Sequence, residues 1–533
     1  MPDHQPWWET TVIYQIYPRS FQDTTGNGIG DLPGITKRLD YLADTLGVGA
    51  VWVSPFYPSP MADFGYDVSD YTAIHPMFGT MEDFDELLEA VHERGLKLII
   101  DWVPNHTSDE HPWFVESRSS RDNPKRDWYV WRDAKPDGSL PNNWLSYFLG
   151  PAWEHDEATG QYYLHSFLTR QPDLNWRNPE VQEAMFDGIR FWLDRGVDGF
   201  RIDVAHVMMK DPELRDNPPV PDDWQRRFKD HGEYDRYLHI HDKGHPDIHQ
   251  LFRDFRALLD SYQPERYSVG EIHIAEWDEW ATYYGEELDE LHMPYNFSHI
   301  HAPWNAAEVA RRVNEIEDVV PEGGWPNHVL GNHDETRLAT RIGEEATRVA
   351  AMLLLTLRGT PTLYYGDEIG IIETHIPSDQ QQDPWGRRLP GAGRDGCRTP
   401  MQWDTSPGAG FTRGNPWLPL TGDRAARNVE TQLSDPSSLL NLYRALLRYR
   451  ERSAPLLVGD YRQFDAPDGV FAYQRTVPGE SLVVVLNFSG DAKRIDLEST
   501  GTIAISSEPA RTGEIVPGAL TLGPNEGVIV EVD

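Results

Sequence analysis

The sequence predicts an α/β fold: a (β/α)8 TIM barrel with a loop-rich subdomain inserted after strand 3 and a C-terminal antiparallel β-sandwich. Three observations predict it. Short apolar runs alternate with longer amphipathic stretches, which is the rhythm of repeated βα units. Eight such runs occur, at 12–17, 50–54, 97–103, 197–203, 267–271, 292–297, 328–332 and 361–365, the number that closes a parallel barrel. Beyond 457 the pattern turns to plain alternation, as in VFAYQRT and SLVVVLNFS, with turn residues between the runs.

Between the first two strands Ile35, Leu39, Leu42 and Leu46 recur at helical spacing. Thr80 is placed to cap a helix whose Phe84, Leu87, Leu88 and Val91 share one face. Gly95 ends that helix, and KLIIDWV is a buried strand. From 104 to 172 the rhythm breaks into a stretch rich in Trp, Pro, Asn and Asp, which predicts functional loops or a small subdomain. Alternation resumes at Asn178-Pro179, a cap followed by proline at the first helical position. Val181, Met185, Ile189 and Trp192 supply its buried stripe.

A second excursion runs from 208 to 246. His239, His241, His245 and His249 lie in and just after it, but no carboxylate accompanies them at fixed spacing, so a solvated loop is expected and not a metal site. A Gly/Pro-rich loop spans 367–423, and an amphipathic helix is expected near 437–450. The domain boundaries follow: barrel 1–103 and 173–456, inserted subdomain 104–172, sandwich 457–533.

Composition narrows the function. The chain has 533 residues with 39% hydrophobic and 25% charged, enough for a packed catalytic body with appendages. Its formal net charge of −38 argues against nucleic acid, whose binding needs Lys and Arg on phosphates, and against anionic surfaces. A small neutral substrate fits best, and no nucleic-acid or membrane partner is expected. Nineteen Trp and 23 Tyr offer faces that stack on sugars, although core packing accounts for most of them. Cys397 is the single cysteine, so neither an intrachain disulfide nor a thiolate metal cluster can form. The N-terminal segment lacks the basic and apolar regions of a signal peptide, and no run approaches the roughly 18 apolar residues of a membrane span. A cytoplasmic location is expected.

Three acids stand where an apolar strand gives way to a loop: Asp203 ends GVDGFRID, Glu271 ends YSVGE, and Asp334 lies in GNHDE. One such carboxylate could be a cap or a salt-bridge partner. Three at three strand mouths, with Arg201 and His333 beside two of them and His106 just past the strand at 97–103, point to chemistry. Glycoside hydrolysis uses a nucleophilic carboxylate and an acid/base carboxyl, about 5–5.5 Å apart in retaining enzymes. A third carboxylate can stabilise the oxocarbenium-like charge. Arg201 points to the same barrel side as Asp203 under period-2 alternation, and its fixed charge favours an ionised nucleophile.

The segments DWVPNH (101–106), GFRIDVAH (199–206), GEIH (270–273) and GNHDETR (331–337) resemble the four signature regions of the α-amylase superfamily of glycoside hydrolases. WWETTVIYQIYPRSFQD, SPMADFGYDVSDY and GRDGCRTPMQW narrow the resemblance to the α-glucosidase and oligo-1,6-glucosidase branch, over essentially the whole chain. The resemblance implies Asp203 as nucleophile, Glu271 as acid/base and Asp334 as transition-state stabiliser. It further implies that Asp63, Tyr66, His106, Arg201 and His333 hold the terminal glucose, with Phe148, Phe167 and Phe297 as walls. From GRDGCRTP an arginine is expected to pair with Asp63. Arg394 is favoured and Arg398 competes.

A charged pair closing a pocket leaves room for one terminal glucose, so an exo-acting retaining α-glucosidase working on short α-glucosides is expected. The alternatives are glucosyl transfer or isomerisation, as in trehalose and sucrose isomerising relatives, and a non-catalytic barrel, which would lack the carboxylates. Val204, directly after the nucleophile position, resembles α-1,6-acting members, while Ala205 and His206 depart from the usual continuation. No cofactor is needed for the chemistry. The loop DTTGNGIGD sets Asp23, Thr25, Asn27, Ile29 and Asp31 at every second residue, a spacing that suits oxygen ligands of a structural Ca2+ or Mg2+, with Ile29 giving its carbonyl. Thr25 and Asn27 replace the Asn and Asp usual in the family, which implies weaker binding.

Overall fold

The computed structural model describes residues 5–224, 231–389, 391–497 and 499–533. Eight parallel strands form a nearly closed barrel: β1 (Ile13–Ile16), β2 (Ala50–Val53), β3 (Lys97–Trp102), β4 (Gly199–Ile202), β5 (Tyr267–Gly270), β6 (Met293–Pro294), β7 (Asn327–Val329) and β8 (Thr360–Tyr364). Each predicted run overlaps one of them, with β7 and β8 starting one residue earlier than predicted. Neighbours in sequence pair in space, and β8 returns to β1 with Thr362 beside Ile13. Among the described residues the ladder is interrupted only between β6 and β7.

The strands read as continuous apolar runs because both faces are covered, one by the barrel interior and one by helices. β1, β2, β4, β5 and β8 are buried at every position. The sixth run is expected over 292–297, yet only Met293 and Pro294 pair. Proline carries no N–H for the ladder, so the pairing stays short.

The helices between strands use the signals that predict them. The first helical stretch is divided: α1 (Leu32–Lys37) starts on the Asp31 side chain, which accepts from Gly34 N, and a wider turn follows over Tyr41–Leu46. Arg38, at the break, stacks its guanidinium 4.0 Å over Trp403 and donates to Gln22. The wider turn keeps Leu42 and Leu46 fully buried. For α2 (Met81–Glu93), Thr80 and Asp83 form a reciprocal capping box, and Asn178 caps α3 (Pro179–Arg195). The helix expected near 437–450 is α4 (Leu439–Arg452), capped by Ser438.

The stretch after β3 carries a small antiparallel sheet of Trp131–Arg132, Gln161–Leu164 and Trp153–Asp156, with its own core of Trp144, Ala152, Trp153 and Leu164. Bridges from His106 to Asp173 and from Tyr129 to Leu174 tie its base to the barrel rim. The C-terminal region is antiparallel throughout, a six-stranded sheet and a two-stranded one around Val470, Val485, Ile495, Leu520 and Val528.

In the 208–246 excursion the histidines are partnered one by one. His239 contacts Asp242 at 2.6 Å, His241 lies 3.6 Å from Asp211, and just beyond it His249 contacts Glu290 at 2.8 Å. No group of three or more potential metal-binding side chains occurs among the described residues. No helix among them is long and apolar enough to cross a membrane.

Candidate active site

β4 delivers Arg201 and Asp203 to the C-terminal mouth of the barrel, and β5 delivers Glu271 beside them. Arg201 is nearly fully buried and bridges both acids: Nη1 donates to Asp203 Oδ1 at 2.8 Å and Nη2 to Glu271 Oε2 at 2.6 Å. Nη1 also donates to Asp101 Oδ1 at 2.8 Å, from the end of β3. One guanidinium thus gathers three carboxyl groups. Val204 N donates a further bond to Glu271 Oε2 at 3.0 Å, and His273 Nε2 lies 2.9 Å from Oε1.

Electrostatics separates the acids. Burial pushes the Asp203 carboxyl well above the usual range, with Arg201 opposing and the charge of Glu271 adding. Burial also acts on Glu271, but Arg201 and His273 outweigh it and hold that carboxyl below the ordinary range. Asp101 is raised by burial to about 6 against the pull of Arg201. In the cavity alone burial thus favours the proton on Asp203 despite Arg201, against the expectation that the arginine favours an ionised Asp203, and the anion on Glu271.

Asp334 follows β7 and belongs to a second network. Its Oδ1 accepts from Arg394 Nη1 at 3.0 Å and Arg398 Nη2 at 2.8 Å, while His333 Nε2 lies 3.2 Å from Oδ2. Arg394 then reaches the loop after β2, where Nη2 donates to Asp63 Oδ1 at 2.6 Å. Arg398 goes elsewhere: Nε donates to the His333 carbonyl at 2.7 Å, and the side chain is wholly buried. Asp63 therefore pairs with Arg394. Asp383 also accepts from Arg394, through Nη2 at 2.7 Å.

His333 is fixed on both ring nitrogens, by Gln15 at 2.7 Å and the Tyr66 hydroxyl at 2.6 Å, and Tyr66 stacks on it at 5.3 Å. Burial lowers His333 to about 3 and His106 to about 4, so both rings are neutral at pH 7. Gln171 contacts His106 at 3.1 Å and Asp63 at 3.3 Å, joining the inserted subdomain to the site.

These groups line one cavity of about 1340 Å³ that includes Asp63, Tyr66, His106, Phe148, Phe167, Asp203, Val204, Glu271, Asp334 and Arg394. Phe148 packs against Phe167 and against Trp385, under the Arg394 guanidinium. Arg201, His333, Arg398 and Phe297 stand behind this wall. Phe297 stacks on His273 at 4.4 Å and does not line the cavity itself.

Asp101, Gln171, Trp385, Asp383 and His273 join the site without having been singled out in the sequence. Asp101 and His273 sit inside quoted motifs and could have been found there. Asp383 lies in a Gly/Pro-rich loop with no local signal.

In the 23–31 loop, Asp23 accepts from the backbone of Thr25, Gly26 and Gly28, and Asp31 from Thr24 and Gly34. The loop thus wraps around Asp23. Its donors for a cation are all oxygens, which suits a hard ion.

Comparison with known proteins agrees with this arrangement. Residues 15–459 match the family described as alpha amylase, catalytic domain. The chain is 45% identical to a probable alpha-glucosidase of Rhizobium meliloti, over 93% of this chain and 92% of that protein. It is 40% identical to an oligo-1,6-glucosidase of Parageobacillus thermoglucosidasius, over 91% and 90%. Among solved structures it superposes on an alpha-glucosyl transfer enzyme, XgtA, with TM-score 0.94 and 43% identity, covering 99% of this chain and all of that one. With eight barrel strands, three acids at their mouths and these relatives, the chain belongs to the alpha-amylase catalytic-domain family of glycoside hydrolases.

Proposed function

We propose that this enzyme is an exo-acting retaining α-glucosidase that releases terminal non-reducing glucose from short α-glucosides. The observation that carries the reading is Arg394, which joins Asp63 at one side of the cavity to Asp334 at another. A terminal glucose set against this ion pair finds its outer hydroxyls met by charged acceptors and donors, and the chain of a longer glucan has no path past it.

In this reading Asp203 is the nucleophile. Its Oδ1 is engaged by Arg201, which leaves Oδ2 for the anomeric carbon. Glu271 protonates the leaving oxygen, so the reaction requires the proton on Glu271 and the anion on Asp203 once substrate is seated, the reverse of the cavity alone. The C–O bond to the aglycone breaks as the bond to Asp203 forms, giving a β-glucosyl-enzyme. Glu271, now a carboxylate, takes a proton from water, whose oxygen attacks the anomeric carbon as the bond to Asp203 breaks, freeing the Asp203 carboxylate and restoring the α configuration. Asp334 stabilises the developing positive charge, held in place by two arginines. Sharing of one guanidinium by Asp203 and Glu271 supports the short carboxyl spacing of retaining enzymes, about 5–5.5 Å.

A second reading, glucosyl transfer or isomerisation, draws on the superposed structures. Besides the transfer enzyme, the trehalulose synthase MutB of Pseudomonas mesoacidophila superposes with TM-score 0.90 at 35% identity, covering 99% of this chain and all of that one. The two readings share the glucosyl-enzyme and differ in what attacks it. Initial rates on maltose, isomaltose, sucrose and trehalose, with products identified, separate them. Free glucose as the main product supports hydrolysis, and a new disaccharide as the main product overturns it.

Val204 supports a lean toward α-1,6 linkages, since it lines the cavity directly beside the acids. The 23–31 loop is proposed to take a structural Ca2+ or Mg2+ through Asp23, Thr25, Asn27, Asp31 and the Ile29 carbonyl. Such an ion would brace the loop after β1, with no part in the chemistry.

A further inference from the structure

His273 has no part in the mechanism above, yet it touches the acid/base carboxyl. Glu271 Oε2 is committed to two donors, Arg201 Nη2 and Val204 N. An oxygen that already receives two N–H groups is a poor place for a proton, so the transferable proton sits on Oε1. The partner of Oε1 is His273 Nε2 at 2.9 Å. The imidazole is held in place by stacking on Phe297 with rings 9° from parallel, and Phe297 is stacked in turn on Tyr295. The side chain is one-quarter exposed and lines the cavity.

We propose that His273 is the positioning residue for the acid/base carboxyl: its Nε2–H holds Oε1 toward the leaving oxygen and tightens its grip as the proton departs. This rests on Glu271 being the acid/base. A hydrogen bond to a neutral carboxyl oxygen strengthens when that oxygen becomes anionic. The stabilisation therefore grows from ground state to transition state, which is the condition for accelerating the step. The proton moves from Glu271 Oε1 to the glycosidic oxygen, and His273 keeps its own.

The charged and titratable groups around the pair come from every neighbouring element. Arg201 and Asp203 face it from the end of β4 and His206 from the turn after β4 with its ring 5.9 Å from His273, while Lys243 of the following loop acts on His206. Asp334 faces it from the loop after β7 and Asp101 from β3. Arg201 is shared by both acids, so it favours the anion on either. Among the described residues His273 alone meets Oε1.

Three variants test this, His273→Ala, His273→Leu and His273→Gln, with pH profiles of kcat/KM on isomaltose or maltose and on p-nitrophenyl α-glucoside. Loss of a donor that favours the carboxylate makes Glu271 hold its proton to higher pH, so the basic limb moves upward by about one pH unit in the Ala and Leu variants. Turnover of the disaccharide falls about ten- to hundredfold, less than the roughly 10²–10⁴-fold of general acid catalysis as a whole because Glu271 itself remains. The activated aryl glucoside, which needs little protonation, falls much less. His273→Gln restores an N–H donor and returns the limb toward the wild-type position. The Leu variant preserves packing on Phe297 should the Ala variant unfold. An unmoved basic limb with equal losses on both substrates overturns the proposal, because it leaves only a packing role. Azide rescue of Glu271→Ala on the aryl glucoside tests the acid/base reading separately. Rescue with unmoved His273 profiles sinks the positioning role alone, and absent rescue sinks the reading beneath it.

Discussion

Arg394 Nη2 donates to Asp63 Oδ1 at 2.6 Å, although 331 positions of chain separate the two residues. The same guanidinium contacts Asp334 and Asp383, and 9% of its side chain is exposed. It is the pin that joins the loop after β2, the loop after β7 and the long loop after β8.

Arg394→Leu leaves Asp63 and Asp383 as uncompensated buried acids. Breaking a buried pair from one side costs about 3–5 kcal/mol. The expected result is a urea midpoint lowered in step with that loss, together with a fall in kcat/KM of at least about a hundredfold. Equilibrium unfolding and initial rates on one preparation check both.

Much of this site was legible from residue order alone. Asp203, Glu271 and Asp334 are visible because each ends an apolar run, and strand polarity then places all three at one mouth. Asp63 could be seen as a pocket-closing acid, but the choice between Arg394 and Arg398 could not be made four residues apart in a loop. The short turn Asp395–Arg398 decides it by turning Arg398 onto the His333 carbonyl. Asp383 was invisible for the same reason: its partner is 11 residues away through a loop with no periodicity. The division of the stretch after α1 was also hidden, because Leu39, Leu42 and Leu46 keep helical spacing across the wider turn.

Val204 adopts a left-handed backbone, φ 36° and ψ 45°, which a β-branched residue reaches at a cost of about 1–3 kcal/mol. That conformation aims its N–H at Glu271. Val204→Thr keeps the branching and the backbone bond but makes the cavity wall polar. The ratio of kcat/KM for isomaltose over maltose is expected to fall about tenfold. An unchanged ratio removes Val204 as the linkage determinant.

His333 and His106 are buried and neutral, lowered by burial to about 3 and about 4. The unfolded chain takes up protons on these rings below pH 6.5, while the folded chain does not until its own lower values. Stability is therefore lost as pH falls from about 6.5 to 4, by about 1.4 kcal/mol per pH unit per fully discriminating ring. His333→Gln removes one contributor. Its unfolding free energy should fall less steeply than wild type across that window, and parallel slopes would show that the ring does not contribute.

The cation proposed for the 23–31 loop would stabilise the folded chain by mass action, about 2.7 kcal/mol at a hundredfold excess over its Kd. CaCl2 is expected to raise the thermal midpoint of chelator-treated protein without changing kcat on the best substrate. A midpoint indifferent to CaCl2, MgCl2 and EDTA removes the cation from the account.

In the proposed reading Asp203 carries the glucosyl group between the two half-reactions. 5-Fluoro-α-D-glucosyl fluoride slows the second half-reaction and accumulates that intermediate, and peptide mass spectrometry locates it. One adduct per chain is expected, on Asp203, with no adduct in Asp203→Ala of intact fold. An adduct on any other residue, or none in protein that turns over α-glucosides, would contradict it.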